Sequence, residues 1–453
     1  MDIQTLLTHA ESKTLEFKKD LSSMDPILKT LVAFANTSGG TLILGRASDG
    51  SVPGIGDIFK AEERIANAIS DSISPPLMPE IEITTYENKN LLIVKVPHWR
   101  GPFYLKKLGF PGGVYIRLGS TSRPAGPELL AELSRSTENR SFDETILLHL
   151  SKHALDIDLA LQYFKKAGKE INEEKLRTLG VLAQAQHELV PSIGGLILFG
   201  KKESRLEEIP DARVSCARFL GDDKTEILDR LDIEGTILDA AQEVPKFISR
   251  NTRLASEIKD IRRKDIPEYP PVAIREALIN ALAHSDYSIK GSRIQIAIFS
   301  NRLEIQNPGM LPFGFTLEDL KSGVSRVRNR VIARVFSSLG IMEEWGSGYK
   351  RMIEACKQGG YREPTWEEFG SSIRVTFFPH PKTMPHEEKK LKDRQKEILN
   401  LFDEGATLSF GEIYEKLPIN ISERTLRYDL SELKHQGFLD FSGKGRGIIW
   451  QRL

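Results

Sequence analysis

The chain has 453 residues, of which 40% are hydrophobic and 28% are charged, and its formal net charge is zero. This length predicts about three domains, because a single hydrophobic core seldom grows beyond about 250–300 residues. The ordinary composition excludes a chain that is disordered throughout. The zero net charge means that any contact with nucleic acid must come from local basic surface.

The cysteines and the hydropathy pattern exclude further classes of protein. Cys216 and Cys356 lie far apart, without neighbouring Cys or His at zinc-site spacing, so neither a disulfide framework nor an ordinary structural zinc site is expected. The N-terminus lacks the basic and apolar segments of a secretory signal, and no run of about 18 apolar residues occurs. We therefore expect a cytoplasmic protein that makes no membrane contact.

Residues 1–128 mix helical patterns with short β-rich runs. Two stretches, residues 24–36 and 61–73, have the apolar spacing of helices. The predicted strands, bounded by Gly, Pro, Asn and Asp, are TLILG (41–45), IEITTYE (81–87), LLIVKVP (91–97) and VYIRLGS (114–120). This order of elements predicts an α+β domain.

Four sequence blocks in this region resemble the Schlafen-type AlbA domain over residues 9–126: ESKTLEFKKDL, AFANTSGGTLILG, DGSVPGI and VYIRLGSTSRPA. The resemblance implies a nucleic-acid-binding domain, with DNA as the expected partner and RNA as a further one. Scattered basic residues are candidates for contacts to a phosphate backbone, with an ordinary solvated surface as the alternative: Lys18, Lys19, Arg46, Arg100, Lys106, Lys107, Arg117 and Arg123.

A metal-dependent nuclease is the alternative for this domain. Glu11 and Glu16 keep the spacing of two glutamates that animal Schlafen proteins use to cleave RNA. Two carboxylates and a third acid can hold a divalent ion that activates water. Ser48 stands where the third acid is usual, however, and Asp49 follows one position later. The alternative for this domain is a Schlafen-like nuclease with a role in phage defence.

Residues 129–254 predict a connecting α/β region. Helical patterns come first, followed by two runs that predict strands, GGLILFG and RVSCARF, and then by a helix near residues 237–248.

The next region, residues 255–380, begins with a helix that carries three polar residues on one face. Glu276, Asn280 and His284 recur at i, i+4 and i+8. A carboxylate one turn from an amide suits a magnesium–nucleotide site, because the acid can activate water and the amide oxygen can bind the metal. An amphipathic helix with a polar outer face explains the same spacing without any ligand.

The order of the following segments distinguishes these two explanations. Two strands end in EIQNPGMLP, and a stretch rich in Gly, Ser and Arg then leads to EEWGSGYKRM. Residues 270–355 closely resemble the divergent GHKL (Bergerat-type) ATPase module, an α/β sandwich, of a family of bacterial predicted transcriptional regulators. The resemblance implies ATP and Mg²⁺ as cofactors.

The resemblance also assigns roles to individual residues. Glu276 matches the ATPase base, and Asn280 matches the magnesium ligand. The other residues assigned to the nucleotide are Asn307 and Gly309 of the first glycine box, Arg326, Arg328 and Asn329 of a lid-like stretch, and Gly346, Ser347 and Gly348 of the second glycine box. Better-known GHKL proteins carry Asp in place of Asn307, so the nucleotide preference stays open. Hydrolysis also stays open, since Glu276 has the alternative of a plain helix-face acid.

Residues 381–390 predict a linker, and residues 391–453 resemble the winged-helix domains of transcriptional regulators. Three helical patterns precede a hairpin whose basic tip forms the wing, and Ser422 is the expected N-cap of the third helix. The candidate DNA contacts are Arg424, Thr425, Arg427 and Tyr428 on the third helix, and Lys444 and Arg446 at the wing. Winged helices also bind proteins, which is the alternative here.

The three resemblances together predict an α+β multidomain transcriptional regulator in which ATP binding biases DNA binding, as a homo-oligomer. Two alternatives stay open from the sequence. One is the ATP-gated nuclease, and the other is a scaffold protein whose nucleotide pocket is degenerate.

Overall fold

The computed structural model describes residues 3–259, 262–324, 326–342, 347–384, 392–402, 407–419, 421–435, 438–442 and 448–452. The chain divides into two compact units, Met1–Thr383 and Met384–Leu453. None of the described helices combines the length and the hydropathy needed to cross a membrane.

The first part of the larger unit is the predicted α+β domain. Its elements are α1 (Ile3–Thr8), β1 (Leu15–Lys18), α2 (Met24–Asn36), β2 (Gly40–Leu44), α3 (Ile58–Ser72), β3 (Ile73–Ser74), β4 (Glu80–Tyr86), β5 (Lys89–Val96), β6 (Tyr104–Leu105), β7 (Tyr115–Leu118), β8 (Thr121–Pro124) and α4 (Pro127–Thr137). Four strands form a sheet in the order β1-β2-β5-β4, in which β1 and β2 are parallel and the other pairs are antiparallel.

One buried asparagine joins the end of α2 to the strands that follow. The Asn36 side chain is fully buried. Its amide nitrogen donates to Phe103 O at 2.8 Å and to Tyr115 O at 2.9 Å, and its amide oxygen accepts from Phe103 N at 2.7 Å. A buried amide with all of these bonds satisfied specifies one packing of α2.

The second part of the larger unit is built around a six-stranded sheet. Its elements are α5 (Ile157–Lys166), α6 (Glu173–Thr178), β9 (Leu182–Ala185), β10 (Glu188–Pro191), α7 (Ile193–Phe199), α8 (Lys202–Glu208), β11 (Val214–Phe219), β12 (Ile227–Ile233), α9 (Ile237–Arg250), β13 (Leu254–Lys259), β14 (Arg262–Pro267), α10 (Pro271–His284), β15 (Ile294–Ile298), β16 (Leu303–Pro308), α11 (Leu317–Ser322), α12 (Arg330–Ser338), α13 (Gly348–Gly359), β17 (Thr365–Phe369) and β18 (Ser372–Phe377).

This sheet crosses the predicted boundary at residue 254. Its strand order is β12-β11-β15-β16-β18-β17, with β11 parallel to β15. Two strands of the predicted connecting region therefore belong to the same sheet as the predicted nucleotide module. A single apolar core, which includes Leu147, Phe247, Leu282 and Phe377, also runs across both segments.

The apolar run GGLILFG was predicted as a strand, and this prediction is wrong. The run forms α7, whose residues are all buried. Ser192 caps the helix by accepting from Gly195 N at 2.9 Å. A short run that is apolar on every side has no periodicity, so the sequence pattern cannot separate a buried strand from a buried helix.

The smaller unit contains the three predicted helices and the predicted closing hairpin. Its elements are α14 (Asp393–Asn400), β19 (Thr407–Ser409), α15 (Phe410–Lys416), α16 (Glu423–His435), β20 (Leu439–Ser442) and β21 (Ile449–Arg452), with the strands in the order β19-β21-β20. Leu426, Leu430 and Leu433 of α16 are fully buried in its core. Ser422 Oγ accepts from Thr425 N at 3.2 Å, which is the predicted N-cap bond.

Candidate functional site

The polar face of α10 lines a cavity. Glu276, Asn280 and His284 all line this cavity, which measures about 1000 Å³ including the space open to solvent. The helix begins with Pro271 at its first position, where proline is well tolerated. Apart from the exposed Val272, its apolar residues are buried in the core of the larger unit, so the polar face is the side left for a ligand.

The start of α13 packs directly on this polar face. Gly348 is the first residue of α13 and lines the cavity. A Cβ atom added at Gly348 would collide with Glu276 Oε1 and would lie close to the Asn280 amide nitrogen. Arg351, one turn further along α13, has its Nη2 atom 3.1 Å from Glu276 Oε2. The glycine therefore lets the helix N-terminus reach the acid and the amide.

The end of β16 contributes the opposite side of the cavity. Asn307 lines it and is 8% exposed, and its amide nitrogen donates to Pro308 O at 3.2 Å. Gly309 follows with a φ of +97° and lies outside the lining. A Cβ atom there would meet Asp286 and would approach the Arg328 guanidinium. Gly309 thus serves the packing of the turn.

The predicted lid residues divide into two groups. Arg326 lines the cavity, whereas Arg328 and Asn329 do not. Arg328 forms ion pairs with Glu132 at 2.7 Å and with Asp286 at 3.1 Å.

The buried Asn329 amide donates to two carbonyl oxygens at the end of α10, Ala283 O at 3.0 Å and Ser285 O at 2.7 Å. Arg328 and Asn329 therefore fasten the chain beside the cavity through partners within the protein.

Of the second glycine box, Ser347 and Gly348 are among the described residues, and Gly346 lies outside them. Ser347 Oγ is buried and has no hydrogen-bond partner within the described part of the chain. The backbone N–H groups at the start of α13 are the kind of donors that bind phosphate.

Apolar side chains that the sequence analysis missed form most of the remaining cavity wall. They are Ile305, Met310, Leu311, Phe315, Leu320, Val324, Met342, Tyr349, Met352, Trp366, Ile373 and Val375. The Tyr349 and Trp366 rings lie 4.9 Å apart. One sequence signal was available for Tyr349 and Met352, which follow Gly348 at positions that turn toward the same side of a helix. Trp366 comes from a separate strand and had no such signal.

His284 is held neutral at the polar end of the cavity. Burial and the nearby Arg328 lower the pKa of His284 to about 4, from an ordinary value of 6.5. The unfolded chain therefore takes up this proton near pH 6.5, and the folded chain takes it up only near pH 4. His284 contributes stability above pH 6.5, and that contribution is lost as the pH falls toward 4.

We expect the His284→Gln variant to lose this part of the pH dependence. The difference in Tm between the wild type and the variant should shrink as the pH falls from 7.5 to 4.5, measured by thermal unfolding. His187→Gln, at an exposed histidine, is the control and should follow the wild type at every pH. Parallel curves for the wild type and His284→Gln would contradict the assignment.

Glu11 and Glu16, the two acids of the nuclease alternative, form contacts with other residues of the protein. Glu16 is buried, and its carboxylate pairs with the Arg117 guanidinium at 2.5 Å and also with Lys18. Glu11 Oε1 accepts from Phe17 N at 3.2 Å. The described residues contain no group of three or more His, Cys, Asp or Glu side chains placed to hold a metal ion. Glu16 therefore takes part in a buried ion pair, and a nuclease role for the two acids stays a prediction.

Two stretches of the chain match known protein families. Residues 11–126 match the family described as "Schlafen, AlbA_2". Residues 291–377 match the family described as "Putative ATP-dependent DNA helicase recG C-terminal". The chain contains a Schlafen-type AlbA domain and an ATPase-like domain. The presence of an ATPase-like domain implies ATP binding, and both domains point to nucleic-acid-associated function. Glu276 and Asn280 precede the second match, so their assignment rests on the cavity.

No curated protein matches the chain. Of two similar solved structures, one aligns with the whole chain and the other with about a quarter of it. The DIP2311 protein from Corynebacterium diphtheriae is 18% identical, with 100% of this chain and 96% of that chain covered and a TM-score of 0.45. The N-terminal domain of a putative ATP-dependent DNA helicase RecG-related protein from Nitrosomonas europaea is 29% identical, with 27% of this chain and 92% of that chain covered and a TM-score of 0.22.

Beyond the AlbA and ATPase-like domains, α16 of the smaller unit carries four candidate DNA contacts. Arg424, Arg427 and Tyr428 are exposed, and Thr425 is half-buried. Arg427 lies over the Phe410 ring at 4.3 Å and is 3.5 Å from Glu423. Lys444 and Arg446 lie outside the described residues.

Proposed function

We propose that this protein is an ATP-binding, DNA-binding transcriptional regulator with its nucleotide site in the cavity beside α10. One observation carries the nucleotide site: Glu276, Asn280, Asn307 and Gly348, from two helices and a strand, line the same cavity. These are residues that the GHKL resemblance assigns to base, metal ligand and glycine boxes.

The chemistry of the lining fits a magnesium–adenine nucleotide. The apolar wall would take the base, as in most small-molecule sites, and the Asn307 amide oxygen can accept from an amino group because the amide nitrogen already donates to Pro308 O. Ser347 lies outside the lining, and the N-terminus of α13 at Gly348 would hold phosphate oxygens. Asn280 would bind Mg²⁺ through its amide oxygen. The metal would offset the charge of the phosphates.

Binding and hydrolysis are separable in this proposal. Arg351 neutralises the Glu276 carboxylate, so Glu276 can act as a base only after that ion pair opens. Calorimetric titration of the full chain with ATP and Mg²⁺ tests binding directly. We expect saturable heat that is reduced when EDTA removes the metal. A degenerate-pocket scaffold would give no saturable heat in either buffer.

We further propose that the smaller unit is a winged helix and that α16 enters the DNA major groove. The exposed positions of Arg424 and Arg427 support this, since guanidinium groups bind both phosphates and base edges. ATP binding would bias DNA binding, in an assembly of several copies. The AlbA domain would add contacts to the nucleic-acid backbone.

Arg424→Ala tests the DNA contact. We expect it to weaken binding to duplex DNA by about tenfold and to lower the salt slope by about one, because one charged contact is lost. Fluorescence anisotropy across a salt series measures both quantities. Lys416→Ala, at an exposed lysine on α15, is the matched control. Equal binding by the two variants would contradict the role of α16, and repeating the series with ATP measures the coupling.

A further inference from the structure

A second cavity lies between the AlbA domain and the ATPase-like domain, and arginines dominate its lining. This junction cavity measures about 1100 Å³, including the space open to solvent. Its arginines are Arg100 of the AlbA domain, Arg135 and Arg140 in and after α4, and Arg326, Arg328 and Arg330 before and at the start of α12. Among the described lining residues, only Glu132 and Asp286 are acidic.

The two acids leave much of this positive charge unbalanced. Both of them pair with Arg328, and Glu132 also interacts electrostatically with Arg135. Arg330 pairs with Glu144, which lies outside the lining. Within the part of the chain that the structure describes, Arg100, Arg135 and Arg326 form no ion pair with a carboxylate. Like charges held together at a partly buried site repel one another, so an arrangement of this kind is stabilised by an anion from outside the protein.

The neighbouring titratable groups show the same excess of positive charge. Burial, Arg326 and Arg100 lower the pKa of His98 to about 4. Burial and Arg100 also lower the pKa of Arg326. His98 Nδ1 lies 3.1 Å from Ala35 O, and His98 Nε2 is buried without a hydrogen-bond partner among the described residues. Burial is the larger cause of both shifts, and the positive charges of Arg326 and Arg100 add to it, which agrees with the excess of arginine in the lining.

We propose that the junction cavity binds a phosphate group through Arg100, Arg135 and Arg326. Guanidinium groups donate paired hydrogen bonds to phosphate oxygens, and the anion offsets the repulsion between them. Arg135 is already oriented, because it donates to Ser288 Oγ at 3.2 Å and lies over the Phe142 ring at 5.3 Å. The phosphate belongs either to a nucleic-acid backbone that crosses the AlbA domain or to a free nucleotide.

The junction cavity is physically continuous with the wall of the nucleotide cavity. Arg326 and Pro312 line both cavities. The loop that carries this wall is attached to the AlbA domain, since Gly314 N donates to Thr37 O at 2.5 Å and Ser38 Oγ donates to Phe315 O at 3.3 Å. Occupation of one cavity should therefore change affinity at the other, and the coupling is reciprocal. This coupling rests on the proposed ATP site, whereas the phosphate site itself does not.

Arg100→Ala in the full chain tests the phosphate site. Arg100 is exposed, so its loss should leave the fold intact, and thermal unfolding checks this. The probes are a fluorescent single-stranded oligonucleotide and Mg·ATP, with inorganic phosphate as competitor. We expect Arg100→Ala to raise the Kd of one probe by about tenfold, and Arg100→Ala/Arg135→Gln to raise it further. Arg177→Ala, at an exposed arginine of α6 outside the cavity, should match the wild type.

The affected probe identifies the source of the phosphate. Weaker oligonucleotide binding with unchanged ATP binding supports a nucleic-acid backbone, and the reverse supports a nucleotide. Binding of both probes at the level of Arg177→Ala would overturn the proposal, as would a wild type that binds neither probe. If the wild type binds the oligonucleotide through Arg100 but does not bind ATP, the junction site stands and the proposed ATP site fails.

Discussion

Replacing Arg117 with alanine is expected to lower the free energy of unfolding of the larger unit by about 3–5 kcal/mol, because it leaves a buried carboxylate without its partner. The Arg117 side chain is 1% exposed and pairs with Glu16, which is 6% exposed. It also donates to Ser12 O at 3.0 Å and to Ser122 Oγ at 3.2 Å. The variant therefore loses the ion pair with Glu16 of β1 and the hydrogen bonds to Ser12 and to Ser122 of β8.

Denaturant unfolding measures this effect, and Arg123→Ala is the control because Arg123 is exposed on the neighbouring strand β8. The control should lie within about 0.5 kcal/mol of the wild type. If Arg117→Ala changed the free energy of unfolding as little as the control does, the ion pair with Glu16 would not stabilise the fold. A metal-binding role for Glu16 would then gain support. A Glu16→Gln variant that cleaved RNA less well than the wild type, with unchanged stability, would point the same way.

Asn280→Ala is expected to weaken Mg·ATP binding by about 100-fold, since the proposed metal ligand and its charge-assisted contact would be removed. Asn280 lies on the polar face of α10 and its amide nitrogen lies next to Gly348. Calorimetric titration gives the Kd, and thermal unfolding checks that the fold survives. Asn301→Ala, at an exposed asparagine in the turn before β16, should bind as the wild type does.

Gly348→Ala offers a second test of the same geometry without removing a polar group. The new methyl group would displace the Glu276 carboxylate and crowd Asn280, so we expect the affinity for Mg·ATP to fall although both side chains are present. Unchanged titrations for both Asn280→Ala and Gly348→Ala would refute a nucleotide site at this position.

Local patterns predicted many of the individual elements. The predicted helix over residues 24–36 is α2, and the run RVSCARF forms β11. Such elements have a polar side and an apolar side or clear turn residues at their ends, so periodicity reveals them. Periodicity failed for α7, because all of its residues are buried. It also gave no sign that β11 pairs with β15, because the two strands are separated by a long segment of chain.

The candidate site was predicted in part. Glu276 and Asn280 could be placed on one helix face by spacing alone, and Asn307 and Gly348 were matched by resemblance; all four line one cavity. Arg328 and Asn329 were matched in the same way, yet their partners are Glu132, Asp286 and the end of α10. A motif records which residue types occur in order, but an arginine binds whichever anion its folded neighbours present.

The sequence by itself determined the local periods, the caps and the order of the motifs, because these depend on residues a few positions apart. The tertiary structure alone decided which charges are already neutralised. Glu16 meets Arg117, and Arg328 meets Glu132, across long stretches of chain. Arg100, Arg135 and Arg326 line one cavity, and among the described residues none of the three forms an ion pair with a carboxylate. Electrostatic energy depends on distance and burial in space, so only the fold separates a structural ion pair from a site open to phosphate.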